Sequence, residues 1–166
     1  MFRVSRVTSL ILGVSVLLSA QAMAQNNASA TVSAVVQQPV TVTKNNDLSF
    51  GNVFPGVNKA IAVTAGGAAK FTVAGQASTP VNLTFSVPVT IPSGGNTLAL
   101  NTWTGHHAIT DVTSGGTTFT PSASATTATL SVLGNLYVYV GATAAPTTTQ
   151  AAGTYSGSMT MTVVYF

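Results

Sequence analysis

The chain contains no cysteine. No disulfide can brace it, and no thiolate is available as a nucleophile or a metal ligand. It is also nearly devoid of charge, with five Lys and Arg and two Asp and Glu in 166 residues. Glutamate is absent and both arginines, Arg3 and Arg6, lie at the very start. Most general acid–base and nucleophilic schemes draw on Cys, Glu, Asp and His. The inventory therefore argues against an enzyme and for a chain that needs no cofactor. No basic patch is present for nucleic acid, and no polybasic segment for anionic lipid. Strong helix formers are scarce after the first 24 residues. No apolar run reaches the roughly 20 residues that a helical membrane span needs.

What is present begins with "MFRVSRVTSLILGVSVLLSAQAMAQ". A basic start, an apolar run from Leu10 to Leu18 and Ala22-Met23-Ala24 before Gln25 form the pattern of a secretory signal peptide. Cleavage after Ala24 is expected, leaving 142 of the 166 residues and no transmembrane anchor. The leader takes both arginines with it. Lys44, Lys59 and Lys70 then stand against Asp47 and Asp111, one net positive charge. So little charge gives weak colloidal repulsion, which suits a protein that assembles with others.

The remainder is rich in Thr, Val, Ala, Gly and Ser, and Thr and Val are stiff side chains that suit a pleated sheet. Short alternating runs recur between Gly, Pro, Asn and Ser clusters, the pattern of an all-β domain. Strands are expected near Val40–Val42, Leu48–Phe50, Ile61–Val63, Lys70–Val73, Val81–Val87, Val89–Ile91 and Leu98–Leu100. Others follow at Thr117–Thr120, Ala128–Leu133, Leu136–Val140 and Met159–Phe166. "PSGGN" and "TSGGT" predict hairpin turns, and "GATAAPTTTQAAG" a long loop. Eight to ten short strands in such a length predict an Ig-like, two-sheet antiparallel β-sandwich. The expected division is a signal peptide over 1–24, an N-terminal extension or first strand over 25–38, and the sandwich over 39–166.

Two stretches alternate strictly. Ala28, Ala30, Val32, Ala34 and Val36 share one face of the first, with Ser29, Thr31 and Ser33 opposite. Pro39 then interrupts, and proline cannot donate to a sheet ladder. In the last stretch Met159, Met161, Val163 and Tyr165 share an apolar face, and Ser158, Thr160, Thr162, Val164 and Phe166 share the other. A final aromatic also occurs in outer-membrane barrels. There the face holding Phe166 would meet lipid, and it carries Ser158, Thr160 and Thr162, which lipid does not tolerate. The parity favours a core strand.

"WTGHHAITD" gathers Trp103, His106, His107 and Asp111. Adjacent histidines on a strand point to opposite faces, so a shared metal would require a loop. The expectation is a solvated loop with incidental histidines and no metal. Trp103 with Tyr137 and Tyr139 offers a platform on which a sugar could stack. Core or half-exposed packing is the plainer use of those rings.

"LSFGNVFPG" near the start and "LYVYVGATAAPTTTQAAGTYSGSMTMTVVY" at the end resemble an exported bacterial β-domain family, domain of unknown function 4402. The resemblance rests on Leu48, Phe50, Gly51, Pro55 and Gly56 and on the closing strand. It covers about 28–166 and implies a fold more than an activity. The ends also resemble the subunits of chaperone–usher fimbriae. Those close on an alternating strand with a penultimate aromatic, here Tyr165, and a glycine fourteen from the end, here Gly153. That second resemblance implies self-association through a donor strand, Ala28 to Val36, with a periplasmic chaperone and usher as partners. Met159, Met161, Val163 and Tyr165 would then line the acceptor groove. Two departures stand against it: the lack of a disulfide and the small size of the donor residues. Residues 28–36 are equally compatible with a first strand of the chain's own sandwich. The leading expectation is an exported structural subunit of a cell-surface polymer. The alternative is a self-complete binding module for a surface glycan or matrix, built around Trp103.

Overall fold

The computed structural model describes residues 26–166; the expected leader, residues 1–24, lies outside them. The described residues form strands and loops without a helix. The strands are β1 (Thr41–Asn46), β2 (Lys59–Ile61), β3 (Ala69–Ala74), β4 (Pro80–Ser86) and β5 (Thr90–Ser93). They continue with β6 (Asn96–Ala108), β7 (Thr117–Phe119), β8 (Thr126–Thr129), β9 (Asn135–Ala145) and β10 (Thr160–Tyr165). One sheet of seven strands runs β1-β3-β9-β6-β5, with β2 beside β9 and β7 beside β6. A second sheet of three strands runs β10-β4-β8. Every pairing is antiparallel.

The period-two pattern decides which side chains enter the core. Phe71 and Val73 of β3 and Leu136, Val138 and Val140 of β9 face inward from the large sheet. Val81, Leu83 and Phe85 of β4, with Met161 and Val163 of β10, face them from the small one. Val73, Val81, Leu83, Val138 and Val140 are wholly buried. Each such side chain contributes about 1.5–3 kcal/mol through burial. With no disulfide, this interior and the sheet ladders hold the fold.

A bulge changes the parity of β6. Its register against β9 slips between Asn101 and Thr104, and Thr102 takes a φ of 50°. Before the slip Leu98 and Leu100 point inward; after it Trp103, Gly105 and His107 do. A β-branched residue at positive φ is uncommon, and here it is the joint that lets one strand serve both halves of the core. Glycine permits two close approaches. A Cβ at Gly141 would sit 2.1 Å from the Ile61 carbonyl oxygen, and one at Gly105 would collide with the Phe119 ring.

Several expectations are corrected. Leu48 to Gly56 is a loop, not a strand: Gly51 and Gly56 turn it through positive φ of 60° and 72°. The histidines are not in a solvated loop, since β6 runs through to Ala108 and buries both. β9 continues past Gly141 to Ala145, where the sequence had pointed to a loop. β8 stops at Thr129, and the Ser131 hydroxyl accepts from the amides of Leu133 and Asn135 to shape the turn that follows.

The described residues divide into two units between Val35 and Val36. In the first, residues 26–35 carry no strand and are exposed throughout. In the second, residues 36–39 are likewise exposed and outside any strand, with Val36 at 95%.

Candidate functional site: an open side of the sandwich

The small sheet is too narrow to cover the large one. It ends at β10, which pairs with β4 on one side and with no other strand among the described residues. Opposite it, β1 forms the edge of the large sheet and is exposed along its whole length. Val42 of β1 is paired with Val73, and Lys44 with Phe71. Cross-strand partners share a face, so Val42 and Lys44 lie on the inward side of the sheet. Val42 is nevertheless 39% exposed, because no neighbour of β10 lies over it.

A cavity of about 930 Å³ lies over the inward face of the large sheet, walled by residues 46–55 and 150–159. Its apolar lining includes Phe50, Phe71, Ile91, Leu100, Trp103 and Met159. It joins the principal core to a smaller cluster of Ile91, Leu98, Leu100 and Ala144. Trp103 packs against both, and its Nε1 is buried without a hydrogen-bond partner. The loop from Leu48 to Gly56 supplies one wall, through Leu48, Phe50 and Val53. Its backbone is tied by the Ser49 amide to the Gly67 carbonyl at 2.8 Å and by Lys59 Nζ to the Asn52 carbonyl at 3.0 Å. Pro55 lies in the same wall, and the Gly56 amide donates to the Thr147 carbonyl at 2.9 Å.

The opposite wall is the segment from Gly153 to Ser158, which lies along the outer edge of β5. The Ser156 amide donates to the Pro92 carbonyl at 3.2 Å. A Cβ at Gly153 would meet Ser93 Oγ at 2.6 Å, and one at Gly157 would meet Ile91 Cγ2 at 2.6 Å. The position of Gly153 is thus a matter of contact with β5.

β10 then places its inward side chains as the alternation requires. Met161 and Val163 are buried, and Met159 and Tyr165 are half-buried against the principal core. The Tyr165 hydroxyl donates to the Gln38 carbonyl and accepts from the Gln76 amide, each at 2.7 Å. It pins the point where the N-terminal segment joins the body. At the other end of the same two strands, Asn46, Asp47 and Met159 line the cavity. Ala28, Ala30, Val32 and Ala34 lie in the exposed stretch of the first unit, and Val36 in that of the second.

The other candidates fall elsewhere. His106 and His107 point to opposite faces of β6, and no group of three His, Cys, Asp or Glu among the described residues could hold a metal. His107 packs inward on Phe119, ring centroids 5.8 Å apart, with its Nε2 unpartnered. Burial, then the neighbouring His106, depresses its pKa below the ordinary 6.5. His106 points outward beside Tyr139.

Trp103 and the tyrosines do not form one platform. Trp103 is on the inward face of the large sheet, whereas Tyr137 and Tyr139, which alternate with buried Leu136, Val138 and Val140, are on the outward face. There Tyr139 donates to Asp111, and Lys70 Nζ donates to the same carboxylate at 2.7 Å. Lys70 Nζ lies 5.7 Å from the centres of both tyrosine rings. Hydrogen bonds from Lys70 and then Tyr139 hold the Asp111 carboxyl below its ordinary range. Burial, then the bond to Asp111, pushes the Tyr139 phenol up to about 12. The sequence offered no signal for this cluster, since its members come from β3, β9 and the loop after β6.

The architecture defines the class: an antiparallel two-sheet β-sandwich in which β10 ends the small sheet close to β1 without pairing to it. Residues 40–165 match the sequence profile of the family described as "Domain of unknown function (DUF4402)", and the chain belongs to that family. A search of curated proteins finds none that matches. No described helix is long and apolar enough to cross a membrane.

Proposed function

We propose that the protein is an exported structural subunit of a cell-surface polymer, joined copy to copy by strand complementation, and that it is not an enzyme. The observation that carries this reading is the unpaired outer edge of β10, with Met159 just ahead of that strand lining the cavity. An edge strand is a template for another chain, and an added strand satisfies its backbone while alternate side chains fill the space beneath. The chain supplies a suitable strand in residues 28–36, which alternate and are exposed. The joining point at Gln38 and the cavity-lining Asn46, Asp47 and Met159 lie at opposite ends of β1 and β10. On this reading the donor of one copy enters the acceptor of the next, an arrangement that propagates instead of closing. Each buried donor Val would contribute on the order of 1.5–3 kcal/mol, and each Ala less.

The test is an unheated detergent gel of cell-surface extract. A ladder of regularly spaced bands is expected. Deleting residues 25–36 behind an intact leader should collapse the ladder to monomer while the thermal transition of the monomer persists. A purified mature chain that stays monomeric at all concentrations and shows no ladder on cells would refute the proposal.

A further inference from the structure

The outward face of the seven-stranded sheet carries a second site, independent of strand exchange. We propose that Tyr137, Tyr139, Lys70 and Asp111 together bind an uncharged polysaccharide. Tyr137 and Tyr139 stand two residues apart on β9 and share this face, both half-buried. Neighbouring rings on one strand are about 7 Å apart, following the rise of about 3.4 Å per residue. They make a ledge over which Lys70 Nζ lies, 5.7 Å from each ring centre, so that a sugar ring would meet the ammonium and the tyrosines together. Across the ledge, β1 and β3 extend the face with Thr43, Thr72 and Asn45, and the Thr72 hydroxyl donates to Asn45 Oδ1 at 2.8 Å. On the other side lies exposed Thr118, with the buried ring of His106 beside it.

Lys70 and Asp111 supply the directional part. The expected mature chain has five charged side chains, and two of them meet here, from β3 and from the loop after β6. The ammonium uses one of its three donors on Asp111. The carboxylate accepts from Lys70 and Tyr139 and keeps lone pairs free. Asp111 is half exposed, and Lys70 is 20% exposed. Sugar hydroxyls are both donors and acceptors, so one hydroxyl can accept from the ammonium while another donates to the carboxylate. The pair cancels its own charge. With only one other acid and two other lysines in the expected mature chain, the surface offers little attraction to a charged polymer. The complement of this face is a neutral, hydroxyl-rich, ring-built chain.

The experiment passes the mature chain through native affinity gels containing cellulose ether, glycol chitin, mannan or soluble β-1,3-glucan, one per gel. Retardation by at least one is expected, and it should survive ~1 M salt, where the screening length is about 3 Å. Tyr137→Ala and Tyr139→Ala should each weaken the apparent affinity about tenfold, and Trp103→Phe should leave it unchanged. A melting curve on each variant separates lost binding from lost fold, and Lys70→Met gives a second loss that spares both rings. Migration unaffected by all four polymers, retardation abolished by salt, or retardation indifferent to the tyrosine substitutions would each overturn the assignment. The polymer ladder should be unaffected by these tyrosine variants, so the two proposals fail separately.

Discussion

Replacing Tyr165 by phenylalanine tests how the closing strand is held. Its hydroxyl joins three distant parts of the chain: β10, Gln38 ahead of β1, and Gln76 after β3. The substitution keeps the ring in the core and removes two hydrogen bonds. A typical bond contributes about 1 kcal/mol net, and less where water can replace it. The Gln38 carbonyl is exposed and the Gln76 bond is part-buried, so the expected loss is about 1–2 kcal/mol. In a domain of this size that lowers the melting temperature by roughly 2–8 °C. Urea unfolding, followed by tyrosine and tryptophan fluorescence, measures it directly. Gly75 sharpens the test, because a Cβ there would lie 2.3 Å from the Tyr165 hydroxyl oxygen. Gly75→Ala should be costly in the native background and cheaper beside Tyr165→Phe, where the nearest remaining contact is Leu130 Cδ1 at 3.1 Å. A coupling of about 0.5–3 kcal/mol is expected between adjacent sites. A Tyr165→Phe protein within about 0.3 kcal/mol of wild type, or strictly additive variants, would refute the clamp.

Further outcomes follow from the same geometry. His107 is depressed below 6.5 by burial. Its contribution is therefore present above 6.5 and lost as pH falls through the folded value, so urea midpoints should drop from neutral to mildly acidic buffer, and less so in His107→Gln. The Tyr139 phenol is raised from 10 to about 12. Its contribution is present below 10 and lost as pH rises through 12; ultraviolet titration should show one late-ionising tyrosine, moved only part of the way back by Asp111→Asn because burial is the larger cause. Gly141→Ala would set a methyl 2.1 Å from the Ile61 carbonyl. It should cost several kcal/mol, as overpacking and a broken β2–β9 pairing combine (about 1–3 kcal/mol for the overpacking alone), read as a large fall in melting temperature.

Most of the sandwich was legible in the sequence because strands buried on one face write their period directly. β3, β4, β9 and β10 read this way through Phe71 and Val73, Val81 to Phe85, Leu136 to Val140, and Met161 to Val163. β6 was not legible. Its bulge at Thr102 inverts the parity halfway, and a scan for one continuous alternation breaks there. Leu48 to Gly56 misled in the other direction, since Leu48 and Phe50 alternate like a strand but are half-buried as a cavity wall. The open side had a partial signal in the two alternating stretches. The narrowness of the small sheet did not, because a missing neighbour leaves no residue to read. The Lys70–Asp111–Tyr139 cluster is a product of long-range pairing, joining residues 41 and 28 positions apart.

The Tyr165 clamp also fixes how the body would meet tension. Any pull on residues 26–37 reaches the sandwich at Gln38, where the tyrosine hydroxyl and the Gln76 side chain hold the chain. Beyond them the strain passes to β1, whose ladder runs to β3 alone. The five paired positions from Thr41 to Asn46 are therefore the weakest link in series with the clamp. Stretching a single molecule from its N-terminal end should detach β1 first, while the β9–β6 centre of the sheet stays intact.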